Sequence, residues 1–387
     1  MASSAPMGLR DDCRHQTRRS LLDLNRKMAV NPTALPMKLL KRRQFMIGSG
    51  KVLAFWLLGV LTLNLYAISG ASGGGITPQQ EQKKQKDRSE KNRILSGNEG
   101  RPVLWHEPAD LESLDLFYGP GGSEGAPDLE GKFTYIGPDK NGTQKKIYVK
   151  DDRNREWTVK FGPEARPETV ATRIVWAMGY HTDQDYFVSQ VHIDGMPGGD
   201  ARNVRFKRRH DGFKDIGLWT WENNPFVGTR ELDGLKVLMV LMNNWDLKVA
   251  NNKILRPDKK SGGDSDERIY YVGDLGATFG KTGAVMRELH FPHDPPAGSR
   301  DKPAEYAHQA FLDGVRDGNV RFHYKGKDSS TLKAISVERA RWMGGMLARL
   351  SDKQLADAFR AGGYSQTETS TLVRAMRERI NELRNLR

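Results

Sequence analysis

The sequence predicts an α+β fold in which a small strand-rich part precedes a larger helical part. Residues 132–162 alternate polar and apolar side chains around two turns, which is the period of antiparallel strands. Residues 230–243 repeat apolar side chains at helical spacing, and the pattern from residue 303 to the C-terminus is also helical. With 37% hydrophobic and 28% charged residues, the composition is that of a globular protein and excludes a coiled coil or a wholly disordered chain.

The individual elements follow from local patterns along the chain. Turn residues at 137–142 and 151–154 separate the first three strands. Pro167 and Gly179 are typical of the start and the end of the helix that follows. The full prediction is strands at 132–136, 146–150 and 156–161, a helix at 168–178, a strand at 186–193, loops at 194–230, a helix at 230–243, a strand at 269–272, a loop at 281–303 and helices to the C-terminus.

The net charge of +13 is concentrated near the N-terminus. Residues 1–51 contain eleven Lys or Arg and three Asp, which leaves the other 336 residues with a net charge of only +5. The body of the protein is therefore mildly basic, and we expect no nucleic-acid partner. The single cysteine, Cys13, excludes a disulfide scaffold and a cysteine zinc site.

Residues 52–68 form an apolar segment of 17 residues without a charge, at the short end of the length that spans a membrane. Lys41, Arg42 and Arg43 precede it, and paired arginines before an apolar core resemble a twin-arginine export signal. Small residues at 69–72 suit cleavage by a signal peptidase, whereas an uncut segment would be a membrane anchor. Because the basic residues come first, the positive-inside rule predicts an extracytoplasmic body, either on a single-pass cell-membrane protein or exported to the periplasm or cell surface.

These features divide the N-terminal part of the chain. Residues 1–51 form a basic leader, and a start at Met37 would make it more compact, so residues 1–36 are open to being a misassigned start. Residues 69–101 are rich in Gly, Gln, Lys and Glu and lack a core-forming pattern, which predicts a disordered tether. The folded body is expected to begin near Pro102.

Two short segments contain the side chains best suited to chemistry. Asp246, Lys248 and Asn251 follow a predicted helix, and Asp274 follows a predicted strand. Phosphoryl transfer needs a carboxylate beside the attacking hydroxyl, a cation beside the transferred phosphate and oxygen ligands for magnesium. One loop with the spacing Asp-x-Lys-x-x-Asn supplies the first three groups, and a separate Asp-x-Gly supplies another ligand.

These motifs resemble those of the protein-kinase-like superfamily, whose catalytic loop contains Asp-Leu-Lys-x-x-Asn and whose metal motif is Asp-Phe-Gly. The chain has Asp-Leu-Lys-Val-Ala-Asn and Asp-Leu-Gly in the same order. The resemblance implies a bilobal protein-kinase-like fold that uses ATP with Mg or Mn, with room for a second ion. It also implies a role for each motif residue: Asp246 as catalytic base, Lys248 at the γ-phosphate, and Asn251 and Asp274 as metal ligands.

Upstream residues fit the same resemblance. Kinases carry a lysine on the third strand that binds the α- and β-phosphates and pairs with a helix glutamate. Lys160 lies on the third predicted strand, and Glu168 opens the following helix, with Glu164 as the reserve partner. The turn from Gly137 to Gly142 lies where a phosphate-covering loop of the nucleotide site would be.

By this resemblance, residues 102–200 form a β-rich N-lobe, and residues 201–387 form a helical C-lobe with the catalytic loop. The sequence also departs from the family. It lacks Gly-x-Gly-x-x-Gly and Ala-Pro-Glu, Trp245 replaces the arginine before the catalytic Asp, and residues 257–268 look like an inserted hairpin. These departures favour an atypical branch, of the HipA-like, spore-coat CotH-like, secretory-pathway Golgi casein kinase or phosphoinositide-kinase type. The motif order over about residues 130–280 does not select one of them.

Three functional hypotheses follow. The first is a membrane-anchored or exported atypical kinase that transfers a phosphoryl group from ATP to an unidentified protein, lipid or glycan acceptor. The second is a catalytically inactive kinase-fold binding module in the cell envelope, which an expected lack of ATP outside the bacterial cytoplasm favours. A cell-envelope enzyme of unrelated chemistry is a third. In each case residues 52–68, if uncut, would contact the membrane.

Two other features have simpler interpretations. The basic run at 205–209 is expected to be a solvated loop, which is the usual environment of Lys and Arg. Trp219 and Trp221 are expected to pack in the core rather than to stack on adenine or a sugar.

Overall fold

The computed structural model describes residues 86, 89, 91–95, 100–140, 142, 144–208, 212–258, 262–264, 266–283 and 297–387. The predicted basic leader, the apolar segment at 52–68 and most of the predicted tether lie outside these residues. Within the described part of the chain, no helix is both long and apolar enough to cross a membrane. Helices and sheets are mixed along the described chain, so the predicted α+β class is confirmed.

Five antiparallel strands form the first sheet, and three of them come from the predicted strand meander. In spatial order the strands are β2 (Phe133–Asp139), β3 (Lys146–Asp151), β4 (Glu156–Lys160), β7 (Asp200–Arg208) and β6 (Asp185–His192). The turn between β3 and β4 forms where it was predicted. Asp151 fixes this turn, because its Oδ1 accepts hydrogen bonds from the backbone N–H groups of Arg153 and Arg155 at 3.1 and 2.8 Å.

The two faces of this sheet differ in polarity because its residues alternate. Trp157 and Phe206 lie on one face, in a buried apolar cluster. On the other face, Lys146 lies opposite Lys160, and Lys160 lies opposite Arg205 on the next strand. Directly opposed residues of neighbouring strands point to the same side, so the three cations form a row across the sheet.

Helix α2 (Ala165–Ala177) follows β4 and packs against β6 and β7. Most of its residues are buried, including the polar side chains Glu168 and Arg173. It ends before Gly179, which has a left-handed φ of 89°. The predicted helix at 168–178 is therefore present and begins three residues earlier than expected.

A second sheet lies in the stretch for which the sequence predicted mainly loops and helices. It has the order β1 (Arg101–Val103), β10 (Glu267–Val272), β9 (Asn252–Pro257) and β8 (Phe213–Leu218), with β5 (His181–Thr182) also paired to β10. Strands β9 and β10 pair as an antiparallel hairpin, and most of the predicted insertion at 257–268 lies between them.

The prediction of loops at 194–230 was wrong, because β7 and β8 lie there. Strand β7 was missed because charged residues are frequent in it and one of them, Arg205, is buried by ion pairs, so its sequence does not look like that of a buried strand. The first sheet also extends past residue 200, where the sequence predicted a boundary. Strand β7 begins at Asp200 and pairs with β4 and β6, so the first sheet continues to Arg208.

The helices that follow α2 pack with it and with the second sheet around one apolar core. Each of the four longest begins at a Thr or Ser whose side chain accepts a hydrogen bond from a backbone N–H in its first turn. Trp219 and Trp221 are buried in this core, as predicted. Besides α2, the helices are α1 (Gly122–Gly125), α3 (Arg230–Leu241), α4 (Pro303–His308), α5 (Val337–Ala348), α6 (Asp352–Ala361) and α7 (Gln366–Arg384).

The C-terminal part is not wholly helical, which corrects the prediction from residue 303 onward. Strands β11 (Leu312–Arg316) and β12 (Asn319–Phe322) form an antiparallel hairpin. Asp317 and Gly318 connect them with φ values of 52° and 71°. Asp-Gly with two positive φ values is typical of a tight hairpin turn, so the signal was present in the sequence.

Candidate functional site

Lys160 lies at the end of β4 and contacts three carboxylates. Its Nζ is 2.5 Å from Glu164 Oε2, 3.0 Å from Glu168 Oε2 and 2.7 Å from Asp274 Oδ1. Lys160 is 3% exposed and Glu168 is fully buried, whereas the Asp274 side chain is 47% exposed. We call these four residues the Lys160 cluster. The structure thus brings together Lys160, its expected partner, the reserve partner and the Asp of the Asp-x-Gly motif.

The charges of this cluster stabilise one another. Burial lowers the pKa of Lys160, but Glu168 and Asp274 raise it by more, so the net shift is upward. Burial raises the pKa of Asp274, but the ammonium groups of Lys160, Lys248 and Lys207 together lower it by more, and the pKa of this carboxyl lies well below its usual range. Both groups are therefore charged at neutral pH.

Backbone geometry explains how these residues meet. Gly162 has a left-handed φ of 94° and turns the chain from β4 into α2. Glu164 precedes α2 and Glu168 lies in its first turn, where a carboxylate interacts favourably with the helix dipole. The segment after Asp274 passes very close to α2, because a Cβ on Gly276 would lie 2.6 Å from the Cβ of Glu164. Only glycine permits this approach.

Arg205 lies beside the Lys160 cluster and connects it to a second buried carboxylate. Its guanidinium is 3.3 Å from Glu168 Oε2 and 2.8 Å from Asp185 Oδ1, and both Arg205 and Asp185 are buried. Burial raises the pKa of Asp185 to about 7, although Arg205 opposes the shift. The prediction that the basic run at 205–209 is a solvated loop was therefore wrong for Arg205, which lies on β7 and faces the polar side of the sheet.

Asp246 lies in the loop after α3, between two lysines. Its Oδ2 accepts a hydrogen bond from Lys248 Nζ at 2.6 Å, and Lys327 Nζ lies 3.9 Å from its Oδ1. We call these three residues the Asp246 group. Among the described residues, no donor hydrogen-bonds to Asp246 Oδ1, although this atom is buried. A carboxylate oxygen without a donor is suited to accept a proton from an incoming hydroxyl.

Neighbouring side chains hold the Asp246 loop in place. Asn251 Nδ2 donates to the backbone oxygen of Asp246 at 3.0 Å, and Trp221 Nε1 donates to the backbone oxygen of Leu247 at 2.8 Å. Trp245, which replaces the arginine of the family motif, is buried. The backbone of Asp246 and of the residue that follows it is therefore held by two side chains.

The Asp246 loop and the Asp-x-Gly segment are neighbours. The backbone N–H of Gly273 donates to the backbone oxygen of Asn251 at 3.0 Å, at the end of the β9–β10 hairpin. Asn251 and Asp274 thus lie on adjacent segments, and their assignment as two ligands of one metal ion stays a prediction. Carboxylate and amide oxygens are the ligands that Mg and Mn prefer.

A second grouping of carboxylate oxygens is less suited to a metal ion. One oxygen each from Glu164, Glu168 and Asp274 lie within 4.8 Å of one another. The Lys160 ammonium already contacts all three and neutralises part of their charge. That Asp274 and Asn251 hold a divalent cation stays a prediction.

The two glycines predicted at the nucleotide site differ in their surroundings. Gly142 lies in the turn between β2 and β3 with a φ of 78°, and a Cβ there would be 3.4 Å from Lys146 Nζ. Gly137 lies within β2 at an irregular register, and no atom would come within 4 Å of a Cβ at this position. Gly142 therefore neighbours the cation row of the sheet, whereas the structure records no such contact for Gly137.

Sequence reasoning missed Lys146, Arg205 and Lys327. Lys146 is half-buried, its Nζ is 3.6 Å from Asp139 Oδ2, and burial lowers its pKa. The predicted hairpin contained a signal for it, because pairing around the turn places Lys146 opposite Lys160. No local pattern distinguishes Arg205 or Lys327 from an ordinary surface cation.

Comparisons with known proteins give little further information. No protein-family model matches the sequence, and no curated protein matches it. Among solved structures, the chain is similar to a Helicobacter pylori proinflammatory kinase, CtkA, with a TM-score of 0.39 and 11% sequence identity. The similarity covers 65% of this chain and 95% of that chain. At this level the similarity is distant and does not define the fold.

Proposed function

We propose that the chain is an atypical kinase that transfers the γ-phosphoryl group of ATP to a hydroxyl group of an unidentified acceptor. The convergence of Lys160, Glu168 and Asp274 carries this proposal. Lys160 and Asp274 are 114 positions apart in the sequence, yet their side chains share a hydrogen bond of 2.7 Å. The backbone of Gly273, next to Asp274, bonds to Asn251, and Asn251 bonds to Asp246 in a loop that contains the phosphotransfer residue types.

Each residue has a distinct part in the proposed reaction. Lys160, held by Glu168, binds the α- and β-phosphates, and Lys248 offsets charge on the transferred group. The acceptor oxygen forms a bond to the γ-phosphorus while the bond from this phosphorus to the β–γ bridging oxygen breaks, and ADP leaves. Asp246 takes the proton of the acceptor hydroxyl through its free Oδ1.

Asp274 and Asn251 would hold Mg or Mn. When bound, such an ion neutralises phosphate charge and orients the phosphates. The Oδ1 atom of Asp274 bonds to the buried Lys160, and the Asp274 side chain is 47% exposed. Asp274 is therefore the member of the Lys160 cluster that an ion from solvent can reach. Both side chains would offer oxygen as the ligand atom. Oxygen ligands suit a hard cation such as Mg or Mn better than they suit zinc.

The proposal includes a bilobal arrangement, with the five-stranded sheet and α2 on one side of the nucleotide and the Asp246 loop on the other. It also includes membrane attachment or export, for which Lys41, Arg42, Arg43 and the apolar segment at 52–68 are the support. An enzyme outside the cytoplasm would need a source of ATP there. The acceptor, whether protein, lipid headgroup or glycan, would then belong to the cell envelope.

Thermal unfolding of the purified full-length chain tests the nucleotide site. We expect ATP with Mg or Mn to raise the unfolding midpoint in a concentration-dependent way, because a ligand that binds only the folded state stabilises it. Asp274→Ala should lose this shift while keeping a cooperative transition. An equal shift in both proteins would argue against the assigned metal ligands, and no shift with any nucleotide–metal pair would refute the proposal.

A second candidate function is an inactive binding module. One observation favours it: an ammonium has three N–H donors, and Lys160 contacts three carboxylates within 3.0 Å. A phosphate would therefore have to displace one of them. The two functions differ in the fate of ATP, because a binding module would leave bound ATP intact over hours, whereas a kinase would form ADP once an acceptor is supplied.

A further inference from the structure

The loop at 323–328, which follows β12, docks onto the Asp246 loop. Tyr324 Oη donates to the backbone oxygen of Asn244 at 2.6 Å, and the backbone N–H of Lys327 donates to the backbone oxygen of Trp245 at 2.9 Å. Gly326 makes this approach possible, because a Cβ there would lie 2.2 Å from Tyr324 Oη and 2.8 Å from the Cα of Trp245. The position of Lys327 is therefore set by the fold rather than by chance proximity.

The side chain of Lys327 is available for a ligand. Its Nζ is 3.9 Å from Asp246 Oδ1, which is too long for a hydrogen bond, and the side chain is 33% exposed. Within the described residues, its ammonium makes no hydrogen bond. Lys248, in contrast, already donates to Asp246 Oδ2 at 2.6 Å.

We propose that Lys327 binds the terminal phosphate of the nucleotide beside Asp246. The inference rests on the proposed function and extends it with a residue that lies outside the kinase-like motifs. An ammonium is a compact point charge with three donors, which suits phosphate oxygens. A partly exposed Lys–Asp contact at 3.9 Å contributes little to stability, so the docked loop gains little from Lys327 as a structural ion pair.

This position also determines which phosphate is contacted. Asp246 is the residue placed beside the attacking hydroxyl, so the phosphate next to it is the one being transferred. ADP lacks this group. The affinity for a nucleotide with a terminal phosphate should therefore depend on Lys327, and the affinity for ADP should not.

The test measures binding of ADP and of a non-hydrolysable ATP analogue with an imido β–γ bridge, each with Mg, to the full-length chain. We expect Lys327→Ala to weaken the analogue about tenfold and to change ADP affinity by less than about twofold, since one charge-assisted contact is lost. Lys327→Arg should restore part of the affinity. The matched control is Lys325→Ala, which removes an exposed lysine two residues away in the same loop and should leave both affinities unchanged.

The outcomes separate this inference from the proposed function. Equal weakening of both nucleotides would mean that Lys327 only supports the fold, and unchanged affinities would mean that it contacts no terminal phosphate; either result overturns the inference. If Lys327→Ala instead leaves both affinities intact and raises the KM of an acidic acceptor peptide, the cation serves the acceptor and the inference is also overturned. Wild-type protein that binds neither nucleotide would refute the proposed function itself.

Discussion

The Lys160 cluster and the Asp246 group contain the same residue types but differ in how fully their atoms are paired. In the Lys160 cluster a buried ammonium meets three carboxylates, and Arg205 supports Glu168 from β7. In the Asp246 group one carboxylate oxygen has no hydrogen-bond donor among the described residues, and one lysine is only loosely placed.

This difference indicates that the two groups of residues have different roles. Paired charges that are shielded from water hold a fixed geometry, which suits the positioning of a bound nucleotide. A carboxylate oxygen that accepts no hydrogen bond from the described residues suits a group that must take up a proton, and the Lys327 ammonium 3.9 Å away can contact a changing charge. The Lys160 cluster is therefore assigned to binding and the Asp246 group to transfer.

The largest expected effect comes from Asp246→Asn. Without a carboxylate to take the acceptor proton, we expect the rate of ADP formation at saturating ATP to fall by about 10²–10⁴-fold, the usual contribution of a general base. The control is Asp317→Asn, at an exposed hairpin turn far along the chain, which should retain the full rate. An Asp246→Asn protein with the wild-type rate would remove Asp246 from the transfer step.

The next largest effect is on stability and concerns Arg205. Arg205→Met leaves the buried carboxylates of Glu168 and Asp185 without their shared cation, so we expect the free energy of unfolding to fall by about 3–5 kcal/mol. Arg202→Met removes an exposed arginine from the same strand and should change it by less than about 0.5 kcal/mol. Urea unfolding of both variants measures the difference. If Arg205→Met and Arg202→Met had the same free energy of unfolding, Arg205 would be less buried than the structure shows.

A smaller effect is expected from acid. The pKa of Asp274 is lower in the folded protein than its ordinary value of about 3.9, so the folded state binds this proton less readily than the unfolded state. The stability from its pair with Lys160 is then fully present above about pH 4 and is lost as the pH falls further. The difference in unfolding free energy between wild type and Asp274→Asn should stay constant from pH 7 to about pH 5 and shrink below about pH 4. A difference that remains unchanged at pH 3 would contradict the ion pair.

The Asp246 loop could be recognised in the sequence because its functional residues lie close together along the chain. Asp246, Lys248 and Asn251 fall within six positions, so their spacing can be recognised without any tertiary contact. Lys160 and Glu168 are eight positions apart, on a strand and the helix that follows it, so their meeting was also predictable. For the same reason the β3–β4 turn and helix α2 were found correctly.

The contacts of the residues that were not predicted depend on pairing between segments that are distant in the sequence. Arg205 is buried only because β7 lies between β4 and β6, and the sequence of β7 has the charge of a surface loop. Lys327 reaches Asp246 only because the β11–β12 hairpin turns the chain back, and that hairpin was mistaken for helix. Neither position has a local pattern from which its tertiary contact follows.

Nucleotide affinity in two variants most directly tests the division between the Lys160 cluster and the Asp246 group. The measurement is calorimetric titration of the full-length chain with the non-hydrolysable ATP analogue and Mg, for wild type, Lys160→Met and Asp246→Asn. We predict that Lys160→Met weakens binding at least about tenfold, because it removes a buried phosphate-binding cation, and that Asp246→Asn binds within about twofold of wild type. Full affinity in Lys160→Met, or a loss confined to Asp246→Asn, would contradict the division.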